Sequence, residues 1–253
     1  MKKGLINSLN IGLGVVKVTD FDVETNIHNI ENAIKEAKEK DIDLLCFGEA
    51  ILNGFDGITW NLDEDLKKNA ISQDSLVMSH MRNLAIKNKI AFGIGYYEKY
   101  ANDIYDSYIV FDENGETLIN YRRVSITWKP SRVYGTDYKE GLKIEAFKYK
   151  EKTFAVVICG DLWYKENQKT VNQLQIDYLL WPLYISYTVE DWKINATEQY
   201  TEKVKLGGKN TLIINSWDTK INMANGGAFY INADGKLLQE LPMLNIGVLS
   251  IKI

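Results

Sequence analysis

Apolar positions along this 253-residue chain switch repeatedly between the two-residue period of a strand and the 3.6-residue period of a helix. Gly12 to Val18 is an apolar run of strand length, and Ile27, Ile30, Ile34 and Ala37 then recur at helical spacing. Leu44-Leu45-Cys46-Phe47-Gly48 is a second apolar run, and it ends on Glu49. Strand, helix and strand in that order, with a dozen or more residues between the strands, is the pattern of a parallel crossover. Asn53-Gly54-Phe55-Asp56-Gly57 reads as a loop, after which Val77, Met81, Leu84 and Ala85 mark an amphipathic helix with its cap placed at Ser72/Asp74. Ile90 to Tyr96 and Asp106 to Phe111 alternate with polar residues and lead into Asn114-Gly115, a strong hairpin signal.

The second half repeats this grammar. A Val/Ile-rich run ends at Cys159, a helical stretch passes through Val171 and Leu174, and Tyr178-Leu179-Leu180-Trp181-Pro182 is strand-like. A longer helix then runs through Trp192, Ala196, Tyr200 and Val204, followed by a strand at Thr211 to Asn215 and a hairpin around Asp234-Gly235. Each half therefore reads as two β-α units closed by a hairpin, which predicts an α/β fold with an internal pseudo-repeat and two packed sheets with helices outside. Periodicity alone does not separate that arrangement from a doubly wound three-layer sheet. Only 3 prolines occur and no Ser/Gly-rich stretch interrupts the pattern, so residues 1–253 are expected to form one domain.

Charge narrows the range of partners. Lys+Arg 30 against Asp+Glu 34 gives −4, and the basic residues are scattered, which argues against nucleic acid or an anionic membrane. Lys143, Lys148, Lys150 and Lys152 form a loose cluster, but Glu145 and Glu151 interrupt it, as on a solvated strand edge. Two cysteines, Cys46 and Cys159, do not make a disulfide framework, and a reduced cytoplasmic compartment is expected. Met1-Lys2-Lys3 has the charge of a signal peptide, but Asn7, Ser8 and Asn10 break any apolar segment, and nothing is long enough to span a bilayer. His28 and His80 are isolated, so neither a metal nor another cofactor is expected.

The candidate chemistry lies at Ile158-Cys159-Gly160-Asp161, where an apolar β-branched run gives way to a polar, helix-like segment. A thiol at a strand end and ahead of a helix is partly exposed, and the helix N–H groups favour its thiolate. Leu44 to Ala50 ends on the acid Glu49, and Asn120-Tyr121-Arg122-Arg123-Val124 follows a third strand signal. In order and separation these three segments resemble the signatures of the nitrilase superfamily, carbon–nitrogen hydrolases that use a Glu, a Lys and a Cys. The resemblance covers nearly the whole chain. It takes in Asp22…Asn26 before the first helix, Gly93-Ile94-Gly95, Phe111 to Glu116, and Gly226 to Gly235. It implies a four-layer α-β-β-α sandwich of two mixed sheets, and pairing of sandwiches into a homodimer or higher homo-oligomer.

The resemblance also distributes roles: Cys159 as nucleophile, Glu49 as base, and the lysine's place falling on Arg123. A guanidinium stays protonated, so it can stabilise an oxyanion but cannot relay protons. Lys129, six residues on, is the alternative cation if the loop Ile126-Thr127-Trp128-Lys129-Pro130 folds back. The family's additional glutamate has no clear counterpart, since Ser131 lies near its place. Cys46 lies an odd number of positions before Glu49, so in a strand it faces the other way and belongs to the core. Asp161 is placed as the cap of the following helix, with orientation of the loop as the other option. Trp163, Tyr164, Trp181, Tyr184 and Tyr187 supply either an aromatic pocket or core packing. The family often carries an aromatic residue at Gly160 and an arginine at Trp163; without that arginine, a carboxylate clamp is missing and an acidic substrate is disfavoured. The implied activity is thiol-dependent hydrolysis of a small amide or nitrile-like compound through a thioester on Cys159. The alternative is a non-catalytic member that binds a small molecule or protein partner with an inherited pocket, and a thioester-forming transferase is a third, minor option.

Overall fold

The computed structural model describes residues 8–220 and 223–253; Met1-Lys2-Lys3 through Asn7 lie outside the described residues. The strands are β1 (Asn10–Val15), β2 (Lys17–Val18), β3 (Leu44–Cys46), β4 (Ala91–Tyr100), β5 (Asp103–Phe111), β6 (Thr117–Arg122), β7 (Ala146–Tyr149), β8 (Lys152–Val156), β9 (Tyr178–Leu183), β10 (Asn210–Asn215), β11 (Trp217–Asp218), β12 (Ala228–Ile231), β13 (Leu237–Leu241) and β14 (Gly247–Lys252). They form two six-stranded sheets, ordered β14-β1-β3-β4-β5-β6 and β13-β12-β10-β9-β8-β7. Within each sheet three consecutive parallel strands, β1-β3-β4 or β8-β9-β10, continue into two antiparallel ones. This is the pseudo-repeat: β1, β3 and β4 correspond to β8, β9 and β10.

The two sheets pack face to face. Leu13, Cys46 and Tyr108 of the first share a core with Val156, Trp181 and Ile213 of the second, and all six are fully buried. Helices Val23–Glu39 and Leu76–Asn88 cover the outer face of the first sheet through Ile30, Ile34, Met78 and Met81. Helices Lys165–Gln173 and Thr197–Gly207 cover the second through Val171, Tyr200 and Val204. The result is the four-layer α-β-β-α sandwich.

Three local expectations change. The run Gly12 to Val18 is not one strand: it breaks after Val15, and Lys17–Val18 leaves the sheet to pair with β11. The cap of helix Leu76–Asn88 is Ser75, whose Oγ accepts from Met78 N at 3.2 Å, because a cap must lie directly before the first helical residue. Ser72 instead accepts from Asp74 N and shapes the turn ahead of it. The helix through Trp192 carries a widened turn at Trp192–Ala196, where Thr197 N reaches back five residues to the Trp192 carbonyl. His28 and His80 are exposed on their helices, with His80 3.0 Å from Glu31. Among the described residues no helix is long and apolar enough to cross a membrane, and no cluster of His, Cys, Asp and Glu could hold a metal.

Candidate active site

Three loops leave their sheets at the same end and converge between them. Glu49 follows β3, where Phe47 N still pairs with Gly93 O at 3.0 Å before the chain turns away. Gly48 allows that turn: a Cβ there would lie 2.4 Å from Ser216 Oγ. Arg123 follows β6 and is pinned by its own N–H to the Asp106 carbonyl (2.8 Å) and by Gly141 N to its carbonyl (2.7 Å). Cys159 follows β8 with φ +38°, a left-handed conformation uncommon outside glycine. Its carbonyl accepts from the indole N–H of Trp181 at 2.9 Å, and its Sγ lies 3.9 Å from the Tyr184 carbonyl at the end of β9.

The side chains meet. Arg123 Nη1 donates to Glu49 Oε1 at 2.6 Å and contacts Asp106 Oδ2 at 3.3 Å, while Nε donates to Ser125 Oγ (2.9 Å) and Nη2 to Thr127 Oγ1 (3.0 Å). Four of the guanidinium's five N–H groups are thus committed among the described residues, which leaves one on Nη2. The Cys159 thiol and the Glu49 carboxyl are near enough to perturb one another's ionisation, while the thiol's own hydrogen bond among the described residues is to the Tyr184 carbonyl. Glu49, Asp106 and Arg123 are all buried, whereas Cys159 is only partly so.

Burial sets the protonation of the cluster. It raises the Glu49 carboxyl, and Arg123 together with a hydrogen bond from Asp106 pulls it partly back. Burial also works against the Arg123 charge, but Glu49, Cys159 and Asp106 outweigh it and hold the guanidinium protonated. The Cys159 thiol is pushed up, first by burial and then by the negative charge of Glu49, with Arg123 opposing. These influences work against the thiolate expected from the sequence. Cys159 leads into a short tight turn, Cys159–Trp163, rather than an α-helix, and desolvation dominates. A thiol held in this way would need a base in order to act as a nucleophile.

Lys129 does not reach this group. Its buried ammonium bonds to the Tyr138 carbonyl and pairs with Glu140 at 2.6 Å, beside the aromatic cluster of Trp60, Trp128 and Tyr138. The loop folds inward but carries its lysine to another pocket. Asp161 is not a helix cap either: it accepts from Ile158 N, Val124 N, Ser125 N and the Tyr121 hydroxyl, all within 3.1 Å, and so ties the Arg123 loop to the Cys159 loop. Cys46 is fully buried, its thiol pushed up to about 12 by burial. Ser131 sits in a short turn, Ser131–Val133.

A cleft of about 540 Å³, lined by Phe55, Tyr184, Ile185, Ser186, Tyr187 and Met223, adjoins the cluster through Tyr184, whose carbonyl lies 3.9 Å from Cys159 Sγ. Phe55 and Tyr184 stack at 4.3 Å with their planes 4° apart. Of the five aromatic residues singled out from the sequence, Tyr184 and Tyr187 line this cleft, Trp181 is core, Trp163 packs edge-on against Tyr200, and Tyr164 is exposed. Asp106, Ser125, Thr127 and Phe55 were not foreseen. Asp106 had a readable signal, since in β5 it shares its face with the core residues Tyr108 and Val110, where a carboxylate needs a partner.

The sequence profile named "Carbon-nitrogen hydrolase" matches residues 9–253. The chain belongs to the carbon–nitrogen hydrolase family. Arylacetonitrilase from Aspergillus niger is 20% identical over 145 residues, 55% of this chain and 44% of that protein. Aliphatic nitrilase from Rhodococcus rhodochrous is 28% identical over 130 residues, 48% and 33% of the two chains. The matched stretch spans less than half the length of these curated relatives. An amidase from Nesterenkonia sp. AN1, in a variant whose active-site cysteine has added acrylamide, shares the fold at a TM-score of 0.77 and 17% identity, covering 97% of this chain and 93% of that one. The glutamine-dependent NAD+ synthetase of Acinetobacter baumannii gives a TM-score of 0.79 at 19% identity, covering 97% of this chain and 45% of that one. At these identities the likeness to the solved structures concerns the fold of this carbon–nitrogen hydrolase.

Proposed function

We propose that this carbon–nitrogen hydrolase cleaves a small, uncharged amide or nitrile-like compound through a thioester on Cys159, with Glu49 as base and Arg123 as the fixed cation. The observation that carries this is the convergence of the three loops: Arg123 bonds Glu49 at 2.6 Å, and the Cys159 thiol lies where the same carboxyl perturbs its ionisation. Glu49 takes the thiol proton as sulfur attacks the carbonyl carbon, and the oxyanion faces the uncommitted Nη2 proton of Arg123. Glu49 then returns the proton to the leaving nitrogen, and the amine or ammonia departs from a thioester. Water, deprotonated by Glu49, cleaves the thioester and regenerates the thiol. Phe55, Tyr184 and Tyr187 favour a flat or apolar acyl group, and no arginine in the cleft lining clamps a carboxylate. Association into at least a dimer, with a soluble cytoplasmic setting, belongs to the same proposal.

Intact mass spectrometry after incubation with a panel of amides, nitriles and activated esters tests it. An acyl adduct should form on the parent and be absent from Cys159→Ala. A parent that never forms an adduct with any of these compounds points instead to a non-catalytic protein that binds a small molecule or partner in this cleft.

A further inference from the structure

Two buried carboxyl groups share one guanidinium nitrogen. Nη1 of Arg123 lies 2.6 Å from Glu49 Oε1 and 3.3 Å from Asp106 Oδ2. The second oxygens of these groups, Glu49 Oε2 and Asp106 Oδ1, are buried with no hydrogen-bond donor among the described residues. Were both groups ionised, two negative charges would face one positive charge away from water, and two acceptor oxygens would lack donors. Each of these conditions is costly on its own. One proton shared by the carboxyls removes both, because the cluster becomes neutral and one acceptor becomes a donor to the other.

The geometry also says which group carries the proton. Charge-assisted bonds are the shorter class, so the 2.6 Å contact marks Glu49 as the carboxylate and the 3.3 Å contact marks Asp106 as the neutral acid. Burial and then the negative charge of Glu49 push Asp106 well above the carboxylate range, in the same direction. No other neighbour reverses this. Tyr97, opposite Asp106 in the β4–β5 register, donates its hydroxyl to the Phe55 carbonyl at 2.7 Å. Asp161 is occupied by its four donors, Cys159 is a thiol pushed up by burial, and Asp56 is drawn toward Lys220 at 2.6 Å.

We propose that Asp106 is a positioning residue, protonated at neutral pH, whose carboxylic acid donates to Glu49 and holds it ionised and aimed at Cys159. The base role of Glu49 rests on the hydrolase proposal; the location of the proton does not. Arg123 cannot release a proton, so the only proton this cluster holds besides that of the thiol is on Asp106. It stays there through the cycle, while the proton on Glu49 arrives from sulfur and leaves with the amine.

Infrared spectroscopy on the whole protein, with isotope-labelled aspartate, tests the proton directly. A carboxylic-acid carbonyl band should be present at neutral pH, shift with the label, and vanish in Asp106→Asn. Absence of such a band, a band that ignores the aspartate label, or one that survives in Asp106→Asn overturns the proposal. The label makes the parent decisive even if the variant does not fold. Kinetics supplies a second arm. Asp106→Asn keeps a neutral donor and should form the Cys159 adduct within a few-fold of the parent, whereas Asp106→Leu should lower kcat on the order of 10²-fold with little change in KM. An asparagine variant as impaired as the leucine variant also counts against it. A labelled band without any adduct would leave Asp106 as assigned and remove the hydrolase instead.

Discussion

Replacing Arg123 with alanine should destabilise the protein by an amount that depends on pH. The guanidinium is 2% exposed and makes four side-chain hydrogen bonds, two of them to carboxyl groups. Removing one partner of a buried ion pair costs about 3–5 kcal/mol when the other must stay charged. Glu49 has an escape, since it can take up a proton. From an unfolded carboxyl pKa of about 4.3, at 1.36 kcal/mol per unit, that escape costs at most about 4 kcal/mol at about pH 7 and about 1 kcal/mol at about pH 5. Stranding the Ser125 and Thr127 hydroxyls adds up to about 1 kcal/mol each at either pH. The sign follows from linkage: Arg123→Ala raises the folded Glu49 pKa further above its unfolded value, so the loss is smallest below the unfolded value and grows as pH rises through the folded one. Urea titrations of parent and variant at the two pH values measure it, and a thermal melt at about pH 7 should fall by roughly 6–15 °C. Equal losses at both pH values, or a loss under about 1 kcal/mol at about pH 7, would mean that Arg123 is not the counter-ion of Glu49.

Lys129→Ala should cost about 3 kcal/mol, through the orphaned Glu140 and the lost bond to Tyr138, yet leave acyl-adduct formation per folded molecule unchanged. A folded Lys129→Ala variant that forms no adduct would return the lysine to the active site. Gly160→Ala places a Cβ 2.5 Å from both Arg123 Nη2 and Thr127 Oγ1, so a loss of about 1–3 kcal/mol together with slower adduct formation is expected. Parent-like stability and rate in that variant would show that the guanidinium moves aside freely.

What was legible in the sequence divides along a physical line. Glu49 and Cys159 each stand just past an apolar parallel strand, where hydrophobic periodicity breaks, and such breaks collect at one end of a sheet, while Arg123 follows the half-exposed antiparallel edge strand β6. Four crossovers and two hairpins were enough to bring the loops together. Direction within a loop carries no such period. Lys129, before a proline, gave no sign that its ammonium turns toward Glu140, and Asp161 looked like a cap because its four donors come partly from a loop 36 and 37 residues away. The compensation for arginine was harder still to see. A guanidinium at position 123 needs a second acid within reach of Nη1, hydroxyls for Nε and Nη2, and empty space beside Nη2. Asp106, Ser125, Thr127 and Gly160 supply these from β5, the Arg123 loop and the Cys159 loop. Each is an ordinary residue in its own segment, and only the packing of one sheet against the other places all four around the same side chain. Arg123 is therefore one part of a mutually fitted cluster, because every group that accommodates its guanidinium is already in position.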